Sequence, residues 1–221
     1  WISRMCKVTA FLDRDNFTLT SNRDIPVDRI HSLPPNEFLY NNEKIVYPED
    51  PIGKGSWIGA SRIYIASILN NKGVEDNDKL SRGILLKDII SNNFSIRDLE
   101  VKSHLFNPYV LILFNIPDRE LFKFTWNGSI FFSEQIYKHD LWMSNTIYSN
   151  EEVVNAGNNF KKELNSNSSA KEILNFHLDS KNIINNQIRT TSVTQIRYGL
   201  NSEIKYFDLI NRQDYNYKLS L

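Results

Sequence analysis

Met5-Cys6-Lys7-Val8-Thr9-Ala10-Phe11-Leu12-Asp13-Arg14-Asp15-Asn16-Phe17-Thr18-Leu19-Thr20-Ser21-Asn22-Arg23-Asp24 is the stretch on which the fold turns. Residues 7–12 are β-branched and apolar, and residues 17–20 alternate, so each half reads as a strand. The charged link Asp13-Arg14-Asp15-Asn16 reads as the turn between them, which predicts a hairpin. In a hairpin the end of the second strand lies beside the start of the first. Arg23 and Asp24 are therefore expected next to Cys6, although seventeen positions separate Cys6 from Arg23 in sequence.

Working outward, residues 24–51 hold five prolines (Pro26, Pro34, Pro35, Pro48, Pro51), a density that predicts a loop or a wandering edge. Residues 56–60 and 63–69 form a second strand pair. Ser81 precedes Ile84, Leu85, Leu86, Ile89 and Ile90, which recur at helical spacing. Residues 96–106 read as a short, irregular helix. Strand-like segments follow at 109–114, 121–126 and 129–132, with Asn127-Gly128 predicting a type I′ turn between the last two. Residues 151–164 and 170–178 read as helices around a polar loop at 165–169. Segments 192–198, 203–210 and 215–219 close the chain as strands, with a turn at 199–202. Strands joined by short turns, with helices set apart, predict an α+β fold of mainly antiparallel sheets with outer helices.

The chain has 221 residues, 41% of them hydrophobic and 24% charged, which suits one domain with a substantial core. No repeat or long linker divides it. Twenty-six basic residues balance twenty-six acidic ones, so no overall field draws in nucleic acid or an anionic membrane. No apolar run is long enough to be a transmembrane segment. A single cysteine excludes an internal disulfide framework and a multi-thiolate metal cage. The expectation is a soluble, cytoplasmic protein.

Cys6 reads blandly as a small buried hydrophobe. Its position after Met5 allows a sharper reading. If translation starts at Met5, or processing cuts before Cys6, the residue gains a free α-amine with a pKa near ~8, able to serve as base for its own thiol. Such a cysteine needs no histidine, and His31, His104, His139 and His177 are scattered outside any motif, so no metal site is expected. Arg23 beside a thiolate would lower its pKa, and Asp24 would hold the arginine or the amine; the bland reading is a strand-ending turn with a surface ion pair. Asn70 and Asn145 each end an apolar strand. They read as turn formers or as side-chain N–H donors to a developing oxyanion, one aligned donor being worth ~3 kcal/mol. Arg189, just before the strand-like stretch from 190, is a further candidate cation.

Together Met5-Cys6, Ser21-Asn22-Arg23-Asp24, Trp57-Ile58-Gly59, Leu69-Asn70, Ser81-Arg82-Gly83, Met143-Ser144-Asn145 and Arg189-Thr190 occur in an order that resembles the NRDE family, that of transport and Golgi organisation protein 2. The resemblance runs from residue 5 nearly to the C-terminus. It implies a four-layer αββα N-terminal-nucleophile (Ntn) hydrolase fold over residues 1–221 as a single domain, related to choloylglycine hydrolase and penicillin V acylase. It implies Cys6 as nucleophile, Arg23 and Asp24 as the pair beside it, and Asn70 with backbone near Cys6 as the oxyanion site. Asn145 would orient the amine or the substrate amide, and Arg189 would complete the polar network. Two features depart from the pattern. Ile25 stands where the family has glutamate, and Trp1-Ile2-Ser3-Arg4 precedes Met5 and reads as an extension ahead of the start. With that extension the nitrogen of Cys6 is an amide and cannot act as a base.

Two functions follow from the resemblance. One is hydrolysis of a small-molecule linear amide. The other is non-catalytic handling of haem, an acyl lipid or acyl-coenzyme A in the same cleft, with Trp57, Trp126 and Trp142 either lining an apolar pocket or packing the core. No cofactor is implied; haem would enter only as a ligand, its iron held by Cys6, a histidine or a tyrosine. A trafficking-type interaction module is a third reading.

Overall fold

The computed structural model describes residues 5–146, 148–179 and 188–220, with side chains from Lys7 onward. The fold is α+β, dominated by two antiparallel sheets. The first has six strands in the order β10-β1-β2-β11-β12-β13. Its members are β1 (Met5–Leu12), β2 (Phe17–Pro26), β10 (Asp140–Met143), β11 (Ile188–Tyr198), β12 (Glu203–Asp208) and β13 (Gln213–Lys218). The second is a seven-stranded meander of β3 (Leu33–Tyr40), β4 (Glu43–Glu49), β5 (Ile58–Ala60), β6 (Tyr64–Asn70), β7 (Tyr109–Asn115), β8 (Glu120–Trp126) and β9 (Phe131–Ile136). The helices are α1 (Arg82–Ile90), the single turn α2 (Leu99–Lys102), α3 (Asn150–Glu163) and α4 (Ala170–Leu178).

Strand β2 organises the first sheet. All ten of its residues are buried, because β1 and β11 flank it and both of its faces are covered. Its odd-numbered residues Phe17 and Leu19 join Val8, Ala10, Ile58, Ile65, Phe114 and Ile196 in a core built from both sheets. Phe17 stacks on Phe114 with ring centroids 4.1 Å apart, which ties the sheets face to face. A second apolar cluster sets Leu85, Leu86, Ile89 and Ile90 of α1 against Tyr47, Tyr64, Ala66 and Leu111 of the second sheet. A third sets Phe160, Ile173 and Phe176 of α3 and α4 against Phe11 of β1. Helices α3 and α4 begin with capping boxes, Ser149 with Glu152 and Ser169 with Glu172.

Two glycines of the motif set have a packing cause. A Cβ on Gly83 would lie 2.9 Å from the Ser56 nitrogen and 3.0 Å from the Gly55 Cα, so the start of α1 can sit on the 55–56 backbone only as glycine. On Gly59 a Cβ would lie 2.8 Å from Ile90 Cδ1, where α1 crosses β5.

The structure alters several expectations. The proline-rich stretch carries the hairpin β3–β4. Pro34 and Pro35 fall in β3, the sheet's edge strand, at a register shift between Leu33 and Asn36, where no ladder N–H is required of them. Residues 96–106 form a single α-helical turn, α2, between two short 3₁₀ turns. The β8–β9 hairpin exists, but its turn is not type I′: only Gly128 has a positive φ, 98°, and the loop spans four residues. The Asn127 side-chain oxygen accepts from the Ser129 and Ile130 N–H groups and sets that wider turn. Among the described residues no helix is long and apolar enough to cross a membrane.

Candidate active site

The register assembles the sequence candidates at one end of the two sheets. Cys6 is the cross-strand partner of Arg23, Met5 of Asp24, Thr190 of Asp24 and Arg189 of Ile25. Lys7 pairs with Met143 on the other flank of β1. The end of β10 is bonded to the end of β6: Ser144 Oγ donates to the Asn70 carbonyl at 2.9 Å. The starts of β1 and β11 therefore meet the ends of β2, β6 and β10. The thiol of Cys6 and residues 1–4 lie outside the described side chains.

Arg23 and Asp24 are adjacent in a strand, so their side chains leave opposite faces. They are not a pair. Arg23, 2% exposed, points between the sheets, where its Nη2 donates to Asp50 Oδ2 at 2.8 Å. Its guanidinium lies 4.5 Å from the Trp57 ring. Asp50 is the hub on this face. Its Oδ2 also takes Arg29 at 3.0 Å, and its Oδ1 accepts the N–H groups of Ile52 and Gly53. Arg189 Nε, enclosed, has no hydrogen-bond partner among the described residues.

Asp24 faces the helices. Thr190 Oγ1 donates to it at 2.6 Å and Tyr148 OH at 3.1 Å. Burial pushes its carboxyl up to about 6, against the pull of Thr190, Lys7 and Tyr148. Lys7 shares that face, 2% exposed, with Nζ over the Phe176 ring and without a hydrogen-bond partner among the described residues. Burial brings its ammonium down to about 8, although Asp24, Asp179 and Glu163 pull the other way. Both groups are shifted toward neutrality, so burial outweighs their mutual attraction.

His177 completes this layer. Its Nδ1 contacts Asn22 Oδ1 and its Nε2 lies 2.8 Å from Thr9 Oγ1. Asn22 Nδ2 donates to the His177 carbonyl, which leaves the amide oxygen to accept from Nδ1–H and leaves Nε2 to accept the threonine hydroxyl. Burial and the Lys7 charge hold the imidazole well below its ordinary value. It is a packed neutral histidine. Among the described residues no group of three His, Cys, Asp or Glu is arranged to hold a metal.

Asn145 is exposed and bonded to the turn after β6. Its Oδ1 accepts the Lys72 N–H at 2.7 Å, and its Nδ2 donates to Asn71 Oδ1 at 2.9 Å. The tryptophans do not share a pocket. Trp57 and Trp142 belong to the core between the sheets, and Trp126 to the cluster under α1.

Sequence reading passed over Asp50, Lys7, Tyr148 and the role of Arg29. Asp50 had a usable signal: Asp50-Pro51-Ile52-Gly53 is a turn in which an aspartate accepts from the N–H groups that follow. Lys7 had one in its even spacing from Thr9 on a strand buried on both faces.

Lys7 makes a testable pH dependence. Its folded pKa lies below its unfolded one, so the unfolded chain holds the extra proton between about 8 and 10.5. The burial cost, on the order of 3 kcal/mol, is present below pH 8 and relieved as pH rises. Lys7→Met should be the more stable protein at pH 7, less the part lost when Asp24 loses its cation. The difference should shrink toward pH 10 in urea unfolding; a gap independent of pH would refute it. No protein-family model matches the chain, and comparison with curated proteins finds no match.

Proposed function

We propose that this chain is an NRDE-type cysteine amidohydrolase with a four-layer αββα, Ntn-like architecture. Apolar clusters between the sheets, under α1 and under α3 and α4 support the layering. What carries the catalytic reading is the cross-strand pairing of Cys6, the chain's single cysteine, with Arg23, a buried cation at the end where β1, β2, β6, β10 and β11 converge.

In this reading the Cys6 thiol gives its proton to its own α-amine and attacks the carbonyl carbon of a linear amide. Arg23 stabilises the thiolate across the strand pair, and the Asn70 side chain with nearby backbone N–H groups receives the developing oxyanion. The C–N bond breaks as the amine leaves with the proton, which gives a thioester and a free amine. Water then attacks the thioester, releasing the carboxylic acid and restoring the thiol. Asp24 acts from the opposite face of β2, through the backbone that sets the Cys6–Arg23 register and through the charge it presents to Lys7 and to the start of β1.

Cys6 can be tested by alkylation, because no other thiol competes. Protein beginning at Cys6 should react with iodoacetamide at pH 6 faster than free cysteine does, by intact mass. Arg23→Gln should abolish that advantage, raising the thiol pKa by roughly 1–3 units. A wild-type thiol that titrates near ~8.5, like free cysteine, would end the proposal.

A further inference from the structure

Several enclosed N–H groups at this end have no acceptor among the described residues: Arg23 Nη1, Arg29 Nε, Arg189 Nε and Trp57 Nε1. They belong to one neighbourhood. Arg23 and Arg29 share Asp50 Oδ2, Arg23 stacks on Trp57, and Arg189 is paired with Ile25, two residues along β2 from Arg23 on the same face. A buried donor left unmatched is costly, and native structures rarely keep several together without a partner.

These four nitrogens are one-sided, whereas Ser192 Oγ, on the same face opposite Arg23, is a hydroxyl that can donate or accept. Guanidinium and indole nitrogens donate and cannot accept. The carboxylates of this face are taken. Asp50 is engaged by two arginines and two backbone N–H groups. Asp208, two strands from Arg23 with Ser192 between them, is engaged by the Ile210 and Asn211 N–H groups and the Asn211 side chain. Three arginines against two saturated carboxylates leave an excess of positive charge. Arg29 keeps 18% of its side chain exposed, so the cluster reaches solvent on that side.

We propose that this cluster is an anion subsite, built for the carboxylate or phosphate group of a small-molecule ligand. It deepens the amidohydrolase reading by giving the substrate an acidic group, and it rests on that reading only for the ligand's being a substrate. Planar guanidinium groups bind both oxyanions in bidentate fashion, which favours either over a neutral amide or alcohol.

The test is calorimetric titration of the full chain with acetate and, separately, inorganic phosphate at constant ionic strength, repeated on Arg29→Gln, Arg29→Lys and Arg189→Gln. Saturable binding of one anion is expected, and the tighter of the two names the ligand group. Arg29→Gln and Arg189→Gln should each weaken it about tenfold or more. Arg29→Lys keeps the charge without the fork and should recover only part, which separates recognition from a misfolded variant. Absence of saturable binding for both anions, or equal affinity in all four proteins, overturns the proposal. Cys6→Ala should retain the anion. An ordinary Cys6 thiol together with retained anion binding would therefore remove the amidohydrolase reading and leave this one standing.

Discussion

Asp50→Ala is expected to destabilise the protein by about 3–5 kcal/mol, the largest effect of any single side chain described above. The residue is 1% exposed and its loss strands Arg23, itself 2% exposed, as an uncompensated buried cation. The same change removes the acceptor for the Ile52 and Gly53 N–H groups and so loosens the turn after β4. For a chain of 221 residues the loss corresponds to a fall in Tm of roughly 10 °C. Two further variants separate the contributions. Asp50→Asn keeps an oxygen for the two backbone donors but drops the charge, and should fall between wild type and alanine. Arg23→Met combined with Asp50→Leu removes both charges together and should recover much of the loss, because a buried ion pair replaced by apolar groups of similar volume is often neutral. Arg29, 18% exposed, can turn to water in that background. Denaturant unfolding reads all of these, and an alanine cost below about 1 kcal/mol would mean that the hub carries no structural weight.

The Asp50 hub also shows where the sequence stops being legible. The first hairpin was readable because residues 7–12 and 17–20 carry β-branched and alternating patterns on both sides of a charged turn. Its register followed, and that register alone sets Cys6 opposite Arg23. Helix α1 is readable from apolar spacing and from Ser81 at its start. The β3–β4 hairpin is not. Proline density reads as a loop or a wandering edge, which fits β3 at the edge of its sheet but not β4, which is paired on both sides. At the site, the resemblance sets Arg23 and Asp24 together beside Cys6, but consecutive side chains of a strand leave opposite faces. The true partner of Arg23 lies twenty-seven residues away, in the turn after β4. Partner identity across two sheets depends on how the sheets stack, and no window of sequence contains that. The same holds for Asn145, whose strand-ending position was legible but whose bonds to Asn71 and Lys72 arise only when the ends of β6 and β10 meet.

The second large effect is kinetic and concerns the base. Protein beginning at Cys6 is expected to hydrolyse a chromogenic linear amide faster than protein in which residue 5 is still attached, by about 10²–10⁴-fold. An α-amine with a pKa near ~8 can take the thiol proton, whereas the same nitrogen in a peptide bond has no basic lone pair. His177 cannot stand in. Packed against β1 and β2, it is neutral and has both ring nitrogens occupied by Asn22 and Thr9. Those partners lie on the face of the sheet opposite Arg23, since Thr9 and Asn22 alternate with Ala10 and Arg23 along their strands. The carboxyl of Asp24, pushed up to about 6, is also committed to Thr190 and Tyr148. The rate should accordingly rise through the pKa of the α-amine, and acetylation of that amine should abolish turnover while iodoacetamide still modifies the thiol. Equal turnover by the two forms, or turnover that survives Cys6→Ala, would show that the chemistry runs without this nitrogen and that the nucleophile lies elsewhere in the fold.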